Sequence, residues 1–249
     1  MNESDFELMV WGWLILALLL IPVQLFITAP YGRHSKRSWG PVIDNRMGWV
    51  IMEIVSPLAF AFFFLKGNPE FSPVYLFFGI WMIHYINRSL IFPLRTKTTG
   101  KVMPIVIMFS AVFFNAVNGS INGYYFGNLA DHSFDLFSRV HFWLGALLFL
   151  TGFIINLNAD QTLLNLRKGE ERGYKIPQGG LFKWISCPNH FGEIIEWLGF
   201  ALMAWCLPAF SFAVWTAANL IPRSISHHRW YKQPWSHSPR SHQTGPSGS

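Results

Sequence analysis

Seven apolar stretches dominate this chain, near residues 9–28, 47–65, 73–94, 102–122, 139–157, 190–207 and 209–226. A helix needs about 20 apolar residues to cross a bilayer, so most are long enough and the last two are short. Pro208 lies in the middle of 190–226 and cannot continue a helix interior, which puts a hinge at Leu207-Pro208. The expected fold is therefore all-α, a polytopic membrane protein with seven transmembrane helices. Composition agrees: of 249 residues, 51% are hydrophobic and 13% charged. Soluble domains carry about 25% charged residues.

The loops sort by charge. Arg33, His34, Lys36, Arg37 and Arg46 separate the first two stretches; Arg95, Lys97 and Lys101 the third and fourth; Arg167, Lys168, Arg172, Lys175 and Lys183 the fifth and sixth. Arg223, Arg229 and Lys232 close the seventh, whereas the opposite connections carry Glu70, Asp131 and Asp135, and the N-terminus Glu3, Asp5 and Glu7. Basic loops stay cytoplasmic, so the N-terminus is expected outside and the C-terminus in the cytoplasm. The net charge of +6 is then a topology signal rather than a nucleic-acid footprint. Residues 1–232 read as one domain. Residues 233–249, rich in Ser, Pro, His and Gly, read as a polar tail, disordered or added to the native chain. The acidic start does not resemble a cleavable signal peptide. Two cysteines, Cys187 and Cys206, give no disulfide framework, and no metal site is expected from them or from His227-His228. There is no Gly-x-Gly-x-x-Gly, Walker A or His-Glu-x-x-His sequence.

Polar residues inside apolar stretches are expensive, and they mark function or paired structure. Glu53 lies within the second. His84, Tyr85, Asn87 and Arg88 cluster in the third, with His84 and Arg88 on one face. Asn115, Asn118 and Asn122 make one stripe on the fourth, beside Gly119; helix–helix hydrogen bonding and ligand binding explain it equally. Asn156, Asp160 and Arg167 follow spacings of four and seven where the fifth leaves the membrane, with Asn158 an additional amide. Arg223, His227 and Tyr231 lie four apart on the seventh. Basic residues there suit a membrane boundary, and equally a phosphate-bearing ligand.

The segment 174–197 carries the densest chemistry. A Gly/Pro-broken loop with Pro177, Gly179, Gly180 and Pro188 runs into an apolar helix bearing Asn189, His190, Glu193 and Glu196. Asn189 and Glu193 share a face, and Glu196 lies three beyond Glu193.

These residues resemble the membrane steroid 5α-reductase family. The strongest match is Tyr174-Lys-Ile-Pro-Gln-Gly-Gly-Leu-Phe followed by Asn189-His-Phe-Gly-Glu-Ile-Ile-Glu-Trp197. Tyr31-Gly-Arg-His34, Asn118-Gly, Asn122-Gly-Tyr-Tyr125, Ile155-Asn-x-x-x-Asp160, Leu166-Arg-Lys168 and His227-His-Arg-Trp-Tyr231 support it, over roughly residues 29–232. The resemblance implies seven transmembrane helices, NADPH as cofactor, and reduction of the Δ4 double bond of 3-oxo steroids to 5α products. By position, Glu53 and Tyr85 resemble the pair that hydrogen-bonds the steroid 3-carbonyl. Asn156, Asp160, Arg167, Tyr174, Asn189, Glu193, Arg223, His227 and Tyr231 resemble cofactor contacts, with Arg33 and Asn118 further cofactor-side residues. Residues 1–100 would serve mainly the substrate and 101–232 mainly the cofactor. Met52 stands where familiar members have Gln, and residues from Gln233 onward do not match.

The expected partners are a steroid-like enone reaching the site from the bilayer, and the lipid membrane itself: inner membrane in a bacterium, endoplasmic reticulum in a eukaryote. No nucleic acid or metal is expected. Two rival readings are an S-adenosylmethionine-dependent membrane methyltransferase of the isoprenylcysteine or phospholipid type, and a non-enzymatic sterol or lipid carrier. The Pro-Gln-Gly-Gly-Leu-Phe run and the Glu53/Tyr85 pair argue against the first. The second leaves the polar segment 174–197 without a purpose.

Overall fold

The computed structural model describes residues 2–28, 37–96, 100–166 and 176–232. Expectations for Arg33, Arg167, Tyr174 and the tail fall outside them. The helices are α1 (Glu3–Phe26), α2 (Asn45–Gly67), α3 (Val74–Ile86), α4 (Phe92–Arg95), α5 (Ile105–Asn128), α6 (Val140–Asn165), α7 (Pro188–Ala204) and α8 (Leu207–Lys232). Among the described residues, α1, α2, α5 and α6 are each long and apolar enough to cross a membrane. The third apolar stretch is helical from α3 to α4, but its middle, Asn87–Ile91, widens into a π-turn. Such turns interrupt the regular ladder and re-aim side chains, often at functional sites.

The expected hinge lies just before Leu207-Pro208. Trp205 adopts the left-handed conformation (φ 47°) and its N–H caps α7 on the Ala201 carbonyl at 2.9 Å. Pro208 then sits in the first turn of α8, where its missing donor leaves no helical bond unmade.

Two close helix pairs organise the bundle. Apolar surfaces gain little by meeting each other in lipid, so helix association there depends on small residues and interhelical polar contacts. On α5, Gly119, Gly123 and Gly127 face Ser56, Phe60 and Phe64 of α2. A Cβ on Gly123 would stand 2.4 Å from the Phe60 carbonyl oxygen. Asn115 begins the same ladder by donating from Nδ2 to the Met52 carbonyl at 2.7 Å. On α6, Gly145 and Gly152 meet Gly199 and Gly192 of α7, in antiparallel order. Aromatic rings fill the space between the pairs: Phe60, Phe77, Trp81, Phe126, Trp197, Phe200 and Phe212 are all buried.

A short antiparallel ribbon, β1 (Val42–Asp44) with β2 (Val102–Pro104), joins the segments leading into α2 and α5. Asp44 ends it and caps α2, accepting at Oδ1 from the N–H groups of Arg46 and Met47.

Candidate active site

α2, α3 with its π-turn, α6 and α7 bring one polar cluster together inside the apolar bundle. Arg88, at the π-turn, is its centre. Nη1 donates to Asp160 Oδ2 of α6 at 3.3 Å, and Nη2 stands 3.2 Å from Glu193 Oε2 of α7. The guanidinium also lies 5.3 Å from the Trp49 ring centroid and 5.4 Å from that of Phe92. This aromatic contact suits a planar, weakly hydrated cation. Trp49 Nε1 donates to the Arg88 carbonyl at 3.1 Å, tying the π-turn to α2.

The α6–α7 glycine contact positions the carboxylates. Where Gly152 meets Gly192 the two backbones nearly touch, so Asn156 reaches across. Its Nδ2 donates to the Asn189 carbonyl at 3.0 Å and to Glu193 Oε2 at 3.3 Å. The Asn189 side chain lies against the Asp160 carboxylate. One turn further into the bundle, fully buried Glu196 takes a 2.6 Å contact from His84 Nδ1 of α3.

Glu53 and Tyr85 join this cluster. Glu53 feels Arg88, Glu193 and His84 as its charged neighbours, and Tyr85 feels Glu53, Glu193 and Arg88. Ser56 lies beside the Tyr85 phenol but meets no partner in hydrogen-bond geometry. Pro57 cannot donate the helical bond to the Glu53 carbonyl, so α2 is loosened at the residue that carries the carboxylate. Met52 points elsewhere, packing with Met103 and Met108 beneath the ribbon.

Four carboxylates, on Glu53, Asp160, Glu193 and Glu196, thus face two basic side chains, Arg88 and His84, among the described residues. Such a buried imbalance is a poor way to stabilise a fold, because desolvation outweighs the attraction unless each ion is well paired. It is the expected signature of a functional site inside a membrane protein.

The other expected residues are placed as follows. Arg223, His227 and Tyr231 lie half-buried along α8, with the His227 ring 5.6 Å from that of His190 on α7. His190 Nδ1 and Ser224 Oγ are 2.8 Å apart, a second tie between α7 and α8. Asn118 stands apart from the cluster: its Oδ1 accepts from Trp13 Nε1 of α1 at 3.1 Å, and its Nδ2 donates to the Phe114 carbonyl. Sequence reasoning gave no role to Arg88, His84 or Glu196. The signal was present, since an arginine and a histidine one turn apart in an apolar helix require partners. No group of three metal-ligating side chains occurs among the described residues.

Comparison with known proteins identifies the family. The family profile described as 3-oxo-5-alpha-steroid 4-dehydrogenase matches residues 101–244, running past α8 into the tail. The chain is 37% identical over 243 residues to the steroid 5-alpha-reductase DET2 of Gossypium hirsutum, covering 92% of each. It is 35% identical over 220 residues to the 3-oxo-5-alpha-steroid 4-dehydrogenase 1 of Bos taurus (86% of this chain, 85% of that one). The Homo sapiens protein of the same name is 35% identical over 213 residues (84% and 82%). With its apolar helices and a polar cluster buried among them, the chain belongs to the steroid 5-alpha-reductase family and is an integral membrane oxidoreductase.

Proposed function

We propose that this protein uses NADPH to reduce the Δ4 double bond of a 3-oxo-Δ4 steroid to the 5α-3-oxo product. The observation that carries the reading is the meeting of Glu53 and Tyr85 with the Arg88–Asp160–Glu193 group. Residues suited to a substrate carbonyl and residues suited to a nucleotide share one electrostatic cluster.

The residues fit the cofactor's chemistry. Asp160 Oδ1 is buried without a partner in hydrogen-bond geometry, and Asn189 and Glu193 are half-buried beside it. Carboxylate and amide oxygens accept from a carboxamide or a ribose hydroxyl. Asn156, Asp160, Asn189 and Glu193 would hold that end of the molecule. Arg223, His227 and Tyr231, with Arg33, Arg167 and Tyr174, would serve its phosphates and adenine side. Asn118 would act through the packing of α1 on α5. When bound, the cofactor supplies the hydride that ends on C5.

The protein polarises the other end. Glu53 and Tyr85 donate hydrogen bonds to the 3-carbonyl oxygen, drawing electron density from the conjugated alkene and stabilising the enolate that develops on reduction. Arg88 is held by Asp160 and Glu193, and His84 by Glu196. The nearest basic side chains are therefore already engaged, which favours Glu53 as a donor. Protonation at C4 completes the reaction. The substrate is apolar and enters from the bilayer.

The same proposal includes seven spans, with the N-terminus outside and the C-terminus cytoplasmic. The continuous helical run from Val74 to Arg95, π-turn included, and the break before Leu207 support that count. Denaturing the purified protein and identifying the released nucleotide by mass tests the cofactor. NADP(H) is the expected result; an adenosyl donor, or no nucleotide from protein purified with NADPH present, would overturn the reading. Conversion of a 4-ene-3-one to its 5α product tests the reaction.

A further inference from the structure

At the opposite end of the bundle, Glu3, Phe6 and Glu7 of α1, Tyr125 and Leu129 at the end of α5, and the Trp205–Pro208 turn enclose a cavity of about 220 Å³. At about 30 Å³ per water, it holds several waters' worth of ligand. Its chemistry is one-sided. The Tyr125 phenol and the Cys206 sulfur lie beside each other on the cavity wall. Burial pushes the Cys206 thiol up to about 12, so it stays neutral near pH 7. Both Glu3 and Glu7 act on that phenol, and neither forms an ion pair among the described residues. The walls are aromatic: Phe6 stacks on Tyr125 with ring centroids 6.4 Å apart, and Trp205 is two-thirds exposed at the rim.

Carboxylates and aromatic faces around one cavity, with no cation paired to those carboxylates among the described residues, suit an alkylammonium group. The ammonium is attracted by both the carboxylates and the ring faces. The cavity opens where the apolar part of α1 begins and α5 ends, the depth at which a bilayer presents its head groups and at which exposed tryptophans collect. We propose that this cavity binds an alkylammonium group, that of a zwitterionic phospholipid such as phosphatidylcholine, at a site separate from the Arg88 cluster. A lipid held there would brace α1 against the α7–α8 turn.

The experiment is native mass spectrometry of the full chain, delipidated in detergent and titrated with phosphatidylcholine or with phosphatidic acid of the same acyl chains. Wild-type protein should retain phosphatidylcholine about tenfold better, the scale of one partly desolvated cation–π contact. The Glu3→Gln/Glu7→Gln variant should lose that preference. Asp5→Asn, which removes a carboxylate from the same turn but not from the cavity wall, should keep it. Equal retention of the two lipids, or an equal loss in Asp5→Asn, overturns the proposal. Choline chloride gives the second arm. Binding weaker than the lipid's makes the occupant a phospholipid, and binding of equal strength makes it a soluble amine; both uphold the ammonium site. None of these readouts depends on nucleotide or steroid, so the reductase reading can fail without affecting them.

Discussion

Nη2 of Arg88 stands 3.2 Å from Oε2 of Glu193, and through that contact the π-turn after α3 is joined to α7. Removing the arginine leaves Glu193 and Asp160 facing each other in a dry interior. Arg88→Met should lower stability by about 3–5 kcal/mol, the range for breaking a buried pair on one side. Arg88→Lys should recover only part of this, because an ammonium cannot span both carboxylates as a planar fork does. Thermal unfolding of detergent-purified variants checks it, and unchanged midpoints would show that the cluster is not held by Arg88.

Glu53→Gln keeps the side chain's size and changes its donor. NADPH binding should persist, while turnover of a 4-ene-3-one falls by about a hundredfold, the scale of losing one oxyanion donor. Tyr85→Phe should be milder. Wild-type turnover in Glu53→Gln would remove this carboxyl from the mechanism.

Asn189→Ala and Glu193→Gln should weaken NADPH binding and leave steroid affinity of the cofactor-loaded fraction largely unchanged. Both should elute as folded protein, since Asn156 still bonds the residue 189 carbonyl and Arg88 keeps Asp160. Normally eluting variants with full NADPH affinity would contradict the assignment.

The glycine contacts give a prediction free of any ligand. A Cβ on Gly192 would lie 2.6 Å from the Asn156 nitrogen and 2.7 Å from the Gly152 oxygen. Gly192→Ala should force α6 and α7 apart and destabilise by about 1–3 kcal/mol. Gly79→Ala has open space around it and should be neutral, or stabilising by about 0.5–1 kcal/mol through helix propensity. Thermal midpoints of the two variants that moved alike would refute this account of the pairing.

The helices were legible because apolar runs of this length leave little else, and Pro208 marked the last break to within a few residues. The pairings were not. Gly145, Gly152, Gly192 and Gly199 look like ordinary tolerated glycines until their partners are known. Arg88 could be placed on a face with His84, but no local pattern says that its partners come from α6 and α7. Glu196 could be placed one turn after Glu193, yet its histidine lies on α3, four helices earlier. Asn118 shows the converse: a stripe of amides fitted a ligand and helix packing equally, and the structure gives its Oδ1 to Trp13 of α1. Helical spacing reports which residues share a face, and distant contacts decide what that face meets.

Outside the membrane-spanning helices, His132 rests on the rings of Phe77 and Phe126, 5.4 and 6.0 Å away. Burial holds its pKa below the usual 6.5; Arg139 adds to this and Asp131 opposes it. The unfolded chain therefore takes up this proton more readily than the folded one. Stability is unaffected well above pH 6.5 and falls as the pH drops through 6.5 toward the folded-state value. His132→Phe should flatten that acid slope while leaving the neutral-pH midpoint nearly unchanged. Identical profiles for the two proteins, from about pH 7.5 to about pH 5, would exclude His132 as the cause.

The ribbon of Val42–Asp44 with Val102–Pro104 gives α2 and α5 a common starting line, so the two helices run in the same direction from one fixed origin. From there Asn115, Gly119, Gly123 and Gly127 reach Met52, Ser56, Phe60 and Phe64 with the same offset at each turn. A single residue inserted between Pro104 and Ser110 would turn the rest of α5 by about 100°. Every glycine would then leave its groove, and the Asn115 amide would leave the carbonyl next to Glu53. Length changes in that short segment should be far less tolerated than many substitutions within it, because the count of residues, more than their identity, sets which face of α5 packs on α2 beside Glu53.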